Sequence, residues 1–163
     1  MTMRRPRRRL EVVSNRPSAE LAALYQDQQS AMVRLAHLLT GSNAVAEDLV
    51  QDVFVSLHGM VETADNPPAY LRTAVVNRCR SHLRRAQLED RHRRAEARVT
   101  LPQDLDETWA ALAQISKRRR VALVLRFYED LSVAEIAEVM GCRVGTVTSL
   151  IHRGLASMRE VLS

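Results

Sequence analysis

At 163 residues the chain has room for one domain or two small ones. Hydrophobic residues make up 46% and aromatics only 4%, so Leu, Val, Ala and Ile must fill any core, which suits helices better than sheets. Five Gly and five Pro argue against a turn-rich β fold, and the net charge of +5 is unevenly spread. Residues 1–17 carry six Arg against Glu11, residues 18–71 one Arg against seven acids, residues 72–98 nine Arg against three acids, and the remainder balances. An acidic block followed by a basic one points to two kinds of partner, the basic part suited to phosphate, although alternating solvated faces give the same tally.

Residues 1–17 read as a disordered basic tail, since Pro6, Pro17 and the Arg cluster offer nothing to pack. The basic start is followed by no apolar core, so it is not a secretory signal, and no run approaches the roughly 18 apolar residues of a membrane span. Over 18–39, Leu21, Leu24, Tyr25, Met32, Leu35 and Leu39 recur at helical spacing, and Gly41 supplies the stop. A second helix from about 42 sets Leu49, Val50, Val53, Phe54 and Leu57 on one stripe. Its Asp48, Gln51 and Asp52 form an acidic face that repels DNA and suits a basic protein partner, or water.

After the loop ETADNPP, Pro67 and Pro68 mark the start of a third helix reaching about 86, with Leu71, Val75, Cys79 and Leu83 on its apolar side. Opposite lie Thr73, Asn77, Arg80 and Arg84 in one narrow stripe. Asn can read a base edge while Arg holds phosphate; a merely solvated stripe has the same spacing. Residues 18–86 thus form one helical domain. The charged stretch 87–104 is expected to be a flexible linker; part of it can extend the preceding helix, but Pro102 ends any continuous run. Residues 105–163 then fit four helices, at 105–115, 117–128, 133–140 and 144–162. No period-2 strand pattern occurs, so the expected fold is all-α, two small helical domains in series.

The segment LSVAEIAEVMGCRVGTVTSLIHRGLASMR reads as a helix-turn-helix. Ser132 and Glu135 form a capping box, Ile136, Val139 and Met140 supply the buried side of a short helix, and Gly141 turns the chain. The next helix is expected to bury Val144, Val147, Ile151 and Leu155 while presenting Thr148, Ser149, His152 and Arg153, short hydrogen-bonding groups and an Arg suited to the major groove. An ordinary helical hairpin with a solvated face is the plainer alternative.

No catalytic constellation is visible. The five His are scattered, Cys79 and Cys142 lack metal spacing, and neither a Gly-rich phosphate loop nor a nucleophile motif occurs, so no enzyme activity, cofactor or metal is expected. Two lone cysteines fit a reducing, cytoplasmic setting.

In order and spacing, AEDLVQDVFVSL, NPPAYLRTAVVNRCRSHLRR and RRRVALVLRFYEDLSVAEIAEVMGCRVGTVTSLIHRGLASMR resemble the extracytoplasmic-function sigma factors of the sigma-70 family. The resemblance runs from about 21 to 162. It implies that 18–86 is a region 2 and 105–163 a region 4, that Asp48, Gln51 and Asp52 dock on core RNA polymerase, and that the linker threads near the polymerase active centre. It implies further that the loop 62–68 and the third helix capture the −10 element as a melted strand, through Tyr70 (in place of a common Trp), Thr73, Asn77, Arg80 and Arg84. The −35 duplex would meet Arg143, Thr146, Thr148, Ser149, His152 and Arg153, and an anti-sigma factor would hold the protein inactive. Thr148 and Leu150 stand where the family often has Lys or Arg, Ser116 replaces a frequent Pro, and Arg143 replaces a small capping residue. Phosphate contacts from this helix should therefore be fewer. A stand-alone helix-turn-helix regulator remains an alternative, and would bind a symmetric operator without polymerase. A recombinase-like enzyme would need a catalytic domain that is not visible here.

Overall fold

The computed structural model describes residues 18–90 and 106–163, and all regular structure among them is helical. The tail expected over 1–17 and the 91–104 part of the expected linker lie outside the described residues.

Helix α1 (Ala19–Thr40) starts where the Ser18 hydroxyl accepts from the Leu21 N–H at 3.2 Å, and it ends at Gly41 in the left-handed conformation, φ 79°. Helix α2 (Asn43–Ser56) is capped likewise by Ser42, and turns its expected stripe, Leu49, Val50, Val53 and Phe54, into the core. A short 3-10 turn, Val61–Thr63, leads to α3 (Pro67–Asp90), where the Asn66 carboxamide oxygen accepts from the Ala69 N–H. Pro67 and Pro68 therefore belong to the first helical turn. The helix also continues four residues past the expected end at 86, so 87–90 are helical and not linker. Leu71, Val75, Val76, Cys79 and Leu83 close the three-helix core. Burial pushes the Cys79 thiol up to about 12, which leaves it a small inert hydrophobe.

The second unit comprises α4 (Asp106–Ala113), α5 (Lys117–Leu123), α6 (Val133–Met140) and α7 (Val144–Leu162). Helix α5 runs on as a π-turn, Val124–Tyr128, whose wider winding keeps Val124 and Leu125 buried while bringing Phe127 to the surface. The capping box on α6 forms as expected: Glu135 N–H donates to Ser132 Oγ, and Ser132 N–H donates to the Glu135 carboxylate at 2.7 Å. That bond holds the exposed Glu135 carboxyl below the usual range.

Two of the core positions expected on α7 are wrong. Val144 is 52% exposed and Leu155 36% exposed. The buried seam instead runs through Val147, Leu150, Ile151, Gly154 and Met158. Gly154 decides the shift, because a Cβ there would lie 3.0 Å from two atoms of the Leu123 side chain. The α5 side chain packs directly on the α7 backbone, and a count of apolar side chains cannot see that contact.

The two units pack against each other. Residues 35–39 of α1 are buried on every face, since α2 and α3 cover one side and the second unit the other. At the centre is Arg120, only 6% exposed. Its Nε donates to Leu112 O at 2.9 Å and its Nη2 to Ala113 O and Ile115 O, while Nη1 reaches across to Leu39 O at 3.3 Å. Burial lowers the Arg120 pKa, but a guanidinium stays charged, and here it caps the C-terminal carbonyls of two helices. The Trp109 ring lies under the guanidinium, 4.6 Å from centroid to Cζ. The same indole sits on Gly41, where a Cβ would come within 2.1 Å of Trp109 Cζ2. Gly41 is thus required twice, for its φ and for this contact. Around this centre Arg72 pairs with Glu129 at 2.7 Å, and Arg34 donates to the Tyr128 hydroxyl at 3.3 Å.

Arg120→Ala would withdraw the donor from four inward-facing carbonyls, of which Leu112 O keeps the Ile115 N–H, and is expected to lower unfolding stability by about 2–4 kcal/mol in urea titration. Arg120→Lys, which keeps the charge and loses the fork, should recover only part. Trp109 is the single tryptophan, so its emission should redden in both variants.

Candidate polymerase and nucleic-acid interfaces

Helix α2 brings Asp48, Gln51 and Asp52 to one exposed face, because positions three and four apart stand above one another on a helix. The Arg78 guanidinium of α3 donates to the Asp52 carboxylate at 2.9 Å. Both groups are about half exposed, so this pair contributes at most ~1 kcal/mol and yields readily to a cationic partner. Val55 stands beside them, 78% exposed, over a cleft of about 470 Å³ lined by Leu21, Tyr25, Phe54 and His58. Sequence reasoning had missed this apolar margin of the acidic face.

The stripe expected on α3 is split. Asn77 and Arg84 are exposed, whereas Thr73 is half-buried and donates to Ala69 O within its own helix at 3.1 Å. Tyr70 is exposed at the head of the helix, its hydroxyl 3.5 Å from Met60 Sδ. Arg80 is half-buried and does not face open solvent: its Nη1 donates to Met140 O in the second unit at 3.0 Å.

In the helix-turn-helix, Gly141 takes φ 61° between α6 and α7. Arg143 occupies the N-cap of α7 without making a side-chain cap, so its exposed guanidinium is left available to a ligand. Thr148, Ser149, His152 and Arg153 are exposed as expected. The Thr148 hydroxyl donates to Val144 O at 3.1 Å, and must leave that bond or share its lone pairs to meet a base. Thr146 is half-buried and faces sideways with Ser149 and Arg153, toward α5 and the end of α3.

The structure brings Arg80 and Arg84 of the α3 set and Thr146, Ser149 and Arg153 of the α7 set to one seam, and leaves Tyr70, Thr73, Asn77, Arg143, Thr148 and His152 outside it. A cleft of about 200 Å³ joins Arg80 and Arg84 to Lys117 and Arg118, and one of about 710 Å³ joins Gln87, Lys117 and Arg119 to Thr146, Ser149 and Arg153. The basic run at 117–119 belongs to this surface. Its only sequence signal was the string KRRR ahead of an apolar segment. Among the described residues no group of three or more His, Cys, Asp or Glu is placed to hold a metal ion, and no helix is long and apolar enough to cross a membrane.

Comparison with known proteins agrees with this layout. Residues 24–89 match the sigma-70 region 2 family and residues 105–158 the sigma-70 region 4 family. The RNA polymerase sigma-E factor of Streptomyces coelicolor is 30% identical over 152 residues, covering 88% of this chain and 86% of that protein. The extracytoplasmic-function sigma factor SigL of Mycobacterium tuberculosis is 32% identical over 167 residues, covering 92% and 94%. The sigma factor RpoE of Bartonella quintana, solved in complex with the anti-sigma factor NepR, superposes with a TM-score of 0.71 at 25% identity, over 86% of this chain and 96% of that one. CnrH, solved with the cytosolic domain of CnrY, shares the fold with a TM-score of 0.65 at 23% identity, over 87% and 86%. A region 2 and a region 4 in this order, with relatives matched along nearly their whole length, make the chain a member of the extracytoplasmic-function sigma factors of the sigma-70 family.

Proposed function

We propose that this sigma factor acts as a two-part promoter clamp that must open to work. It directs RNA polymerase to promoters and supports strand opening and initiation, working in the cytoplasm as an initiation factor with no chemical step of its own. Unit 18–90 docks on core polymerase through Asp48, Gln51 and Asp52, and captures the −10 strand through the exposed Tyr70 and Asn77 with Arg80 and Arg84 on the phosphates. Thr73 contributes once its hydroxyl leaves Ala69 O. Unit 106–163 reads the −35 duplex with Ser149, His152 and Arg153, Arg143 and Thr146 flanking them and Thr148 joining when its hydroxyl turns. The linker between the units passes near the polymerase active centre. An anti-sigma factor holds the protein in check, as NepR binds RpoE of Bartonella quintana.

The observation that carries this reading is the separation of charge: one exposed acidic face on α2, and basic, hydrogen-bonding faces on α3 and α7. Geometry adds the opening. By their names the −35 and −10 elements lie about 25 base pairs apart, on the order of 85 Å at 3.4 Å per base pair. Here Arg80 of one set is 3.0 Å from Met140 O, next to the turn that aims the other. Both elements cannot be held at once from this arrangement.

Reconstitution with core RNA polymerase on a genomic library should give initiation at defined start sites; promoter-independent activity alone would refute the reading. Reversing Asp48 and Asp52 to Lys should weaken core binding by about tenfold or more, measured by competition with a second sigma factor. The isolated helix-turn-helix surface should be untouched in the same variant. Arg153→Ala should weaken binding to a −35 duplex by about 1–3 kcal/mol if the guanidinium reads a base. Asn77→Ala should leave core binding intact and relax −10 selectivity in open-complex assays.

A further inference from the structure

Four cations stand around one small cleft at the seam: Arg80 and Arg84 from α3, and Lys117 and Arg118 from α5. The cleft holds about 200 Å³, and Leu83, Gln87 and Val121 complete its lining. None of the four is in an ion pair among the described residues, where the pairs are Arg72–Glu129, Arg78–Asp52 and Arg126–Asp130. Arg80 and Lys117 donate to neutral oxygens, Met140 O at 3.0 Å and Leu83 O at 3.2 Å. Burial and then the charges of Arg118 and Arg84 lower the Arg80 pKa, with Cys142 pulling the other way. Like charges gathered in a concave site repel one another, and an anion set among them relieves the repulsion.

Size and lining restrict that anion. Pockets for drug-sized ligands run to about 300–1,000 Å³, so this one takes something smaller. Single-strand sites hold nucleobases by stacking them on aromatic rings, and no aromatic residue lines the cleft, so the ligand carries no base. No acidic residue lines it either, so the anion is held bare and not through a divalent cation. A monocarboxylate would leave most of the positive charge unmet. Linked phosphate groups place several charges and many acceptor oxygens in one compact body. Three of the four cations are guanidiniums, whose planar fork meets phosphate oxygens two at a time. The cleft opens through Gln87, Lys117 and Arg118 into the neighbouring one of about 710 Å³, which leaves room for the end of a longer phosphate chain.

We propose that this cleft is a binding site for a condensed inorganic phosphate of the pyrophosphate class. Arg80 and Arg84 hold it from one wall, Lys117 and Arg118 from the other, so the site needs both units in place. Nucleic acid offers the same phosphate chemistry, but spread along a strand and joined to bases for which the cleft has no platform. A bound condensed phosphate occupies Arg80 and Arg84 and competes with a −10 strand for them. That consequence rests on the promoter-clamp reading; the site and its ligand class do not.

Isothermal titration calorimetry on the full chain, freed of divalent cations and at matched ionic strength, compares orthophosphate, pyrophosphate, tripolyphosphate and a short oligothymidylate with as many phosphates as the last. Pyrophosphate and tripolyphosphate should each bind at least about tenfold tighter than orthophosphate and the oligothymidylate. Arg84→Ala and Arg118→Ala, one from each wall, should each weaken pyrophosphate about tenfold. Arg85→Ala removes the same charge from an exposed position beside Arg84 that lines neither cleft, and should leave the affinity unchanged. All three residues are exposed, and circular dichroism identifies any variant that fails to fold, for which Arg84→Gln or Arg118→Gln stands in. Condensed phosphates binding no tighter than orthophosphate, an equal loss in Arg85→Ala, a loss confined to one wall, or tighter binding of the oligothymidylate would each overturn the proposal. If core polymerase gains no promoter activity from the chain, the clamp reading falls while the calorimetric result stands.

Discussion

A single guanidinium holds the second unit together and fastens it to the first. Arg120 donates to the last carbonyls of α4 and to Leu39 O at the end of α1, groups that helix geometry leaves without partners. Each of those oxygens lies at the negative end of a helix, so one cation satisfies two helix dipoles in a dry site. The planar fork reaches carbonyls in different directions at once, and its flat face is left for Trp109. Without Arg120, Leu112 O would keep the Ile115 N–H, the other three carbonyls would lose this donor, and Trp109 would lose the cation stacked on its ring. The closed arrangement and the seam that it creates both follow from this contact.

That arrangement gives the two proposed DNA faces opposite fates. On α7 most of the expected contacts stay exposed, whereas on α3 Arg80 is spent on Met140 O. On the promoter-clamp proposal the helix-turn-helix is available before opening, and the −10 set becomes complete only once Arg80 leaves Met140 O. Of the α7 positions between Val147 and His152, Thr148 and Ser149 are neutral and exposed and Leu150 is half-buried against the core, so none of them offers a cation to phosphate. Arg143, free at the N-cap, and the run at 117–119 on α5 place positive charge on either side of it. This flanking charge adds to that of Arg153 on the helix itself, and on the promoter-clamp proposal it serves orientation more than base discrimination.

Much of this was legible in the sequence, for a physical reason. Leu49, Val50, Val53 and Phe54, or Leu71, Val75 and Cys79, repeat at helical spacing because each helix buries one face in one core. Ser132 with Glu135 specifies a helix start within four residues. The pattern failed on α7, where the backbone of Gly154 does the packing and Val144 and Leu155 are left outside. It also could not separate Arg120 from its three basic neighbours, since hydropathy codes all four as surface. The contact of Trp109 with Gly41 spans 68 positions of chain, and no local period encodes it. What escaped was the relation between the units, which depends on single contacts and not on repeats.

The strength of the closed state must still allow use. Across the units run one Arg–carbonyl bond in the core, the half-buried Arg72–Glu129 pair, and hydrogen bonds from Arg34, Arg80 and Lys117. Net contributions of about 0.5–1.5 kcal/mol for a typical bond, set against the entropy of holding two units together, leave a modest preference for closure. A ligand shifts such an equilibrium only by the difference in its affinity for the two states. On the promoter-clamp proposal core polymerase meets the acidic face of α2, which is open in either state, so that contact alone shifts nothing. The contacts that favour opening must involve faces closure covers: the −10 strand on Arg80, or a polymerase surface reaching the second unit.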